Sequence, residues 1–345
     1  MKALVYHAYD DLQIEDVPVP EIRDGELLLR VAGCGLCGSD VLKIQQRAPA
    51  PVKLGHELTG VIARISPQAR DETGLREGQR VVIAHHLACG VCHYCRHDND
   101  SLCPQFRAMN FDPCGFAEYI RVPAPLTRQM TLALPDAVSD EVGSFVEPLG
   151  CIMRALRRSR LQPGDTIVIF GLGTMGLMAA QAARAAGANV VGIDMLPDRL
   201  DFAARLGIAS FAPGEAALRE YVRATTAGRG ADVALLTAGG APAFTQSIEL
   251  LRGGGLVHLF ASAPNPQATL DIDAFYHREL SVTATYGTSP HDLRAALDLL
   301  ITGNVRVDDF ITHRLPLACF SEGVALFTTR QARKVYFTIH DANSK

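Results

Sequence analysis

The chain has 345 residues, 48% of them hydrophobic and 20% charged, which is enough apolar material for about two packed domains. A net charge of −4 without a long basic run gives no electrostatic reason to expect nucleic acid or an anionic membrane surface as partner. No apolar run approaches the roughly 20 residues that cross a bilayer, and nine cysteines, odd in number and closely clustered, argue for a reducing compartment, by default the cytoplasm, over a disulfide scaffold.

The first residues, MKALVYHAYDDL, carry acids at Asp10 and Asp11 and lack the basic start and apolar core of a secretory signal. Up to about residue 150, short β-like runs (ELLLRVAG, LTGVIARI, QRVVIAH, AEYIRVP) alternate with Gly, Pro and Asp turns, which predicts an antiparallel, β-rich domain. Three pieces of this half carry metal-ligand chemistry. Cys37 lies in the glycine-flanked GLCGSD, His56 and Glu57 in GHE, and Glu147 in VEP. One thiolate, one imidazole and one carboxylate make a three-ligand site with the fourth position open, the pattern of catalytic zinc. Singly, each is more readily read as a buried cysteine, a core histidine or a surface acid.

Between them lie Cys89, Cys92, Cys95 and Cys103, spaced C-x2-C-x2-C-x7-C. The surrounding CGVCHYCRHDNDSLC is too polar to fold on core burial, and four thiolates close one tetrahedral Zn²⁺ with no position left for substrate. The run predicts a metal-clamped lobe, with the chemistry elsewhere.

From Thr166 the pattern changes to apolar strands alternating with Ala-rich helical stretches, which predicts βαβ units and a parallel sheet covered on both faces. Gly171-Leu172-Gly173-Thr174-Met175-Gly176 follows the strand TIVIF and opens a helix, the context a dinucleotide loop requires. Gly171 allows the tight turn, Gly173 the backbone's approach to pyrophosphate and Gly176 the close packing of helix on strand. Thr174 and Met175 complete the cofactor turn at the helix N-terminus. Asp194 closes the next strand, 18 residues after Gly176; it would accept from the adenosine ribose hydroxyls and repel a 2′-phosphate, favouring NAD over NADP. Arg199 is either a contact to adenine or ribose or a solvated helix residue. After Ser289 a helix-like run, HDLRAALDLLITG, precedes short strands ending in RKVYFTI. Periodicity leaves open whether this tail extends the parallel sheet or returns to the first domain.

GLCGSD, GHELTG, the four-cysteine run, GFAEYI, VEPLG, GLGTMG and KVYFTI, in this order across residues 1 to 340, resemble the zinc-dependent medium-chain dehydrogenase/reductase family in its sorbitol, threonine and sugar-alcohol-phosphate branch. The resemblance implies an α/β chain: a Rossmann-type, doubly wound parallel sheet (154–287) and a β-rich, GroES-like catalytic domain (1–153 and 288–345) that the tail completes. It implies two zinc ions per chain. One is structural, on Cys89, Cys92, Cys95 and Cys103. The other is catalytic, on Cys37, His56 and Glu147, with Glu57 as alternate ligand or neighbouring carboxylate, Cys151 as rival third ligand and Asp40 holding the ring N–H of His56. Ser39 matches the position whose hydroxyl begins proton transfer from an alcohol that reduces NAD, and a homodimer or homotetramer is implied.

Departures from the family pattern bear on the substrate. Leu42 stands where many relatives end the proton relay with histidine, so protons leave through water or a ribose hydroxyl. Arg154 replaces a common histidine, and Gly287 an arginine of sorbitol-type pockets. Lys43, Arg47 and Lys53, in a short loop between ligands, are either receivers for a substrate anion or solvated cations. The expected reaction is oxidation of a secondary alcohol, polyol, sugar-alcohol phosphate or hydroxy amino acid by NAD; the alternatives are an NADPH-linked carbonyl reductase and an inactive nucleotide-binding zinc protein.

Overall fold

Apolar alternation in the first half becomes strands wherever one face can be buried. In the computed structural model, which describes residues 1–9, 11–262 and 267–340, β1 (Lys2–Ala8) and β2 (Asp11–Asp16) form an antiparallel hairpin. Asp10 lies outside the described residues. Next come β3 (Leu27–Gly35), β4 (Glu57–Ile65), β5 (Arg80–Ile83) and β6 (Tyr119–Val122), on the four runs that the sequence marks, and the three-residue β7 (Thr131–Ala133), which it does not; all pair antiparallel.

The next segment supplies β8 (Thr166–Phe170), β9 (Asn189–Ile193), β10 (Ala209–Phe211), β11 (Ala231–Leu236), β12 (Leu251–Leu259) and β13 (Ser281–Ala284). All pair in parallel, in the order β10-β9-β8-β11-β12-β13. Counted within this sheet the order is 3-2-1-4-5-6, the doubly wound arrangement whose switch point lies between the first and fourth strands. Every residue of β8 is buried, as a strand covered on both faces must be. Beside it pack Val191, Ile193, Leu218, Val222 and Val257.

β14 (His313–Pro316) and β15 (Val335–Thr338) return to the first sheet, which runs β14-β15-β3-β4-β5-β7 with β6 also on β3. The tail question is answered by β15, which pairs antiparallel with β3 in the register Tyr336↔Gly35. One compact unit therefore holds Met1–Gly150, Thr288–Gly303 and Val307 onward, the other Cys151–Gly287 with Asn304–Arg306. The first boundary falls three residues before the expected one, inside the continuous helix Val146–Arg158, where helical periodicity carries no mark of a division.

Aromatic packing fastens the returning tail. Phe337, fully buried on β15, meets the Phe116 ring edge-on at 5.5 Å and stacks on Phe320 at 5.2 Å; such pairs add about 0.5–1.5 kcal/mol each beyond area burial. Truncating Phe337→Ala should destabilise the first unit by about 3–5 kcal/mol, read as a shifted urea midpoint. A shift within error would show that the tail is held by its backbone pairing alone.

Candidate metal centres and cofactor loop

The four cysteines converge. The sulfurs of Cys89, Cys92, Cys95 and Cys103 all lie within 4.8 Å of one another, with Cys89–Cys95 at 3.9 Å and Cys92–Cys95 at 3.5 Å. A ZnS4 tetrahedron with Zn–S of about 2.3 Å has edges of about 3.8 Å, so the observed separations bracket the span a zinc ion demands. Backbone N–H groups of Val91 and Cys92 push the Cys89 thiol down to about 6, while desolvation and Cys92 push Cys95 up to about 12. Four thiolates crowded together repel, and a shared dication is what lets all four ionise.

The second cluster is assembled from distant segments. Cys37 caps the helix Gly38–Gln45; its sulfur accepts from the Ser39 N–H (3.4 Å) and hydroxyl (3.2 Å). His56, just before β4, puts Nδ1 3.5 Å from Oδ1 of the fully buried Asp40, which also accepts from the Gly55 N–H at 3.1 Å. Burial opposes the His56 charge, yet Asp40 and the Cys37 sulfur raise its pKa well above the ordinary range. Such a site wants a cation on the imidazole, and a metal satisfies that demand as a proton does.

Ligand atoms of Cys37, His56 and Glu57 lie within 4.8 Å of one another. The thiolate–imidazole–carboxylate set fits Zn²⁺. Glu147, buried near the start of the helix Val146–Arg158, is outside this set, and Cys151 is the first residue of the second unit. The Glu57 carboxylate is itself claimed by Lys334, from the end of the chain, which also donates to the Leu36 carbonyl at 3.1 Å. Both groups are buried; burial works against the lysine's charge, but Glu57 together with the Cys37 and Cys34 sulfurs outweighs it and raises Lys334 above the usual range. Gly35 makes room for this pair, since a Cβ there would fall 2.5 Å from the Glu57 carboxylate and 2.8 Å from Lys334 Cε.

The glycine loop lies between β8 and the helix Thr174–Ala185, capped by Gly173. A Cβ on Gly176 would fall 1.8 Å from the Gly171 carbonyl oxygen, so only glycine lets this helix start so close to the strand. Asp194, after β9, accepts from the N–H groups of Leu172 (2.7 Å) and Leu196 (3.0 Å). Arg199 pairs with Asp194 at 3.2 Å, so it is neither a distant nor a merely solvated cation.

Comparison with known proteins decides the family. Residues 23–136 match the alcohol dehydrogenase GroES-like domain and residues 174–302 the zinc-binding dehydrogenase domain. The chain is 31% identical to a sorbitol dehydrogenase of Halalkalibacterium halodurans, over 98% of this chain and 99% of that protein. An L-threonine 3-dehydrogenase of Rhizobium etli is 30% identical, over 97% of each. The chain belongs to the zinc-dependent medium-chain dehydrogenase/reductase family. Among solved structures, an alcohol dehydrogenase from Thermus sp. ATN1 superposes with a TM-score of 0.86 at 28% identity, covering 99% of this chain and 100% of that one. A protein from Sinorhizobium meliloti 1021 solved with NADP gives 0.86 at 27%, covering 98% and 99%.

As a medium-chain dehydrogenase, the chain uses zinc and a nicotinamide cofactor and acts on small hydroxy compounds. Three residues of its metal pocket escape sequence reading: Lys334, His85 and His86. The His85 ring lies 4.5 Å from that of His56 and 3.6 Å from that of His86. Burial, reinforced by His56, holds His85 well below the ordinary histidine range, and burial brings His86 down to about 4. Both therefore stay neutral near pH 7. Their only signal in the sequence is a pair of histidines directly after an apolar strand. The three loop cations do not converge on one anion site: Lys43 donates to the Lys53 carbonyl, Lys53 to that of Phe111, and Arg47 stacks on Tyr9 at 4.7 Å.

Removing one member of the buried Lys334–Glu57 pair strands the other charge. Lys334→Met should cost about 3–5 kcal/mol, and the double variant Lys334→Met/Glu57→Gln should recover most of it, as a double-mutant cycle in urea measures. Additive losses would show that the two groups are not coupled.

Proposed function

We propose that this dehydrogenase oxidises a secondary alcohol of the polyol type, free or phosphorylated, or a hydroxy amino acid, with NAD as acceptor and two zinc ions per chain. The observation that carries the reading is the convergence of Cys37, His56 and Glu57, with Asp40 on the His56 ring, apart from a second, closed cluster of four sulfurs. Bound zinc supplies the Lewis acidity that makes a hydroxyl acidic near neutral pH, and bound nicotinamide accepts the hydride.

The chain's residues do the positioning. Asp40 fixes the His56 ring by its Nδ1 edge and leaves Nε2 to the metal. Ser39, its hydroxyl 3.2 Å from the Cys37 sulfur, is assigned the first step of proton removal. Glu147 is assigned as third ligand on the family resemblance, with Glu57, which Lys334 holds in an ion pair, as the carboxylate beside the metal or its alternate ligand. His85, buried, and His86, partly buried, both neutral, line one wall. Leu42, where relatives carry a histidine, sends the proton out through water or a ribose hydroxyl.

On the cofactor, Asp194 supports NAD because its buried carboxylate opposes a 2′-phosphate; Gly171, Gly173, Thr174, Met175 and Gly176 are assigned to the pyrophosphate turn. An NADPH-linked carbonyl reductase is the second reading, favoured by Arg199, which partly neutralises Asp194. Titrating the protein's fluorescence with NADH and NADPH should show NADH binding at least tenfold tighter; tighter NADPH would establish the reductase instead.

A homodimer or homotetramer is proposed, supported by the apolar flank of the edge strand β13, where Val282, Tyr286, Ile272 and Tyr276 are exposed. Cytoplasmic residence is proposed from the nine free thiols; no helix among the described residues is long and apolar enough to cross a membrane.

Metal analysis, after loosely held ions are removed on a chelating resin, should give two zinc ions per chain. Cys37→Ser and Glu147→Gln should each bring this to one while abolishing NAD-linked oxidation across a panel of polyols, threonine and sugar-alcohol phosphates. Retention of two zinc ions in Glu147→Gln with loss in Glu57→Gln would transfer the third ligand to Glu57. A wild type with one zinc and no turnover would leave a nucleotide-binding protein without catalysis.

A further inference from the structure

The short helix His93–Arg96 that carries Cys95 in the four-sulfur lobe also carries a feature the dehydrogenase chemistry does not use. His93 and His97 are spaced i, i+4, both are exposed, and their rings lie 4.3 Å apart at 35°. Residues four apart on a helical turn share one face, so the two imidazoles form a pair on the surface of the lobe.

A second observation concerns which nitrogen is available. The Nδ1 of His97 lies 2.8 Å from the His93 carbonyl oxygen. A carbonyl only accepts, so Nδ1 carries the proton, which in the neutral ring leaves Nε2 as the nitrogen with a lone pair. An Nδ1–H held by a backbone carbonyl is the arrangement that fixes the tautomer of metal-ligating histidines. The arginine of this helix, Arg96, donates through Nε to the Val91 carbonyl at 2.9 Å. Two imidazoles on one ion at about 2.0–2.1 Å place their nitrogens about 3.3 Å apart, a span that rings with centroids 4.3 Å apart reach by small side-chain rotations.

We propose that His93 and His97 form a further metal site, exposed and exchangeable, for a divalent cation that favours imidazole: Zn²⁺, Ni²⁺ or Cu²⁺. Two protein ligands leave the remaining positions to water, so this site releases its ion to a chelator far more readily than the four-sulfur cluster does. It adds one metal equivalent to whatever the thiolate clusters hold and does not depend on the proposed substrate.

The test uses the full chain, passed over a chelating resin until its zinc content is constant. Titration with Ni²⁺ by calorimetry should show one additional ion per chain. His93→Ala and His97→Ala should each weaken that binding at least tenfold, with the constant zinc content and the turnover unchanged. Cu²⁺ bound to the unaltered chain should give an electron paramagnetic resonance spectrum split by two imidazole nitrogens. This spectrum decides by itself if either variant loses zinc from the lobe. No additional Ni²⁺, unchanged affinity in both zinc-replete variants, or coupling to a single nitrogen would overturn the proposal.

Discussion

A buried ion pair between residues 277 positions apart holds the metal pocket together. Lys334 reaches Glu57 only because β15 lies antiparallel on β3, and that pairing stands because Phe337 on the same strand is packed between Phe116 and Phe320. Each charge is tolerable only with the other beside it, since an isolated buried ion costs several kcal/mol. The end of the chain is thus a wall of the site, and the carboxylate next to the metal ligands is held by a cation, not by the metal alone.

The same economy of space explains the small residues around the pocket. Gly35 makes room for the Lys334–Glu57 pair, and the Gly55 N–H feeds Asp40, which in turn faces His56. A chain of contacts therefore links the Cys37 helix, the start of β4 and the C-terminal strand. Around it, His85 and His86 add imidazoles that burial keeps neutral, giving the pocket a polar lining without a further buried charge.

The four-sulfur lobe and the glycine loop are organised by nearer neighbours. All four sulfurs come from one stretch of fifteen residues, whose polar sequence offers little apolar surface to bury. In the parallel sheet, β8, the glycine turn and the following helix are consecutive in the chain, and Asp194 reaches back to the Leu172 N–H from the next strand. Arg199 then lies against Asp194 because five residues along the chain return it to the same corner.

What the sequence determined by itself is whatever chemistry sits within one short stretch: the C-x2-C-x2-C-x7-C cluster, the strand-glycine-helix turn and the change from antiparallel alternation to βαβ units. Spacing suffices there because local geometry converts it directly into proximity. The proposed catalytic set was legible only as an ordered group of family motifs, since Cys37, His56, Glu57 and Glu147 mean little one at a time. The roles of Lys334 and His85 were not legible at all; the two residues stand in the sequence only as members of the runs KVYFTI and QRVVIAH. Tertiary structure alone decided their roles, as well as the return of the tail to the first sheet, because strand pairing and burial join residues whose separation along the chain carries no periodic signal.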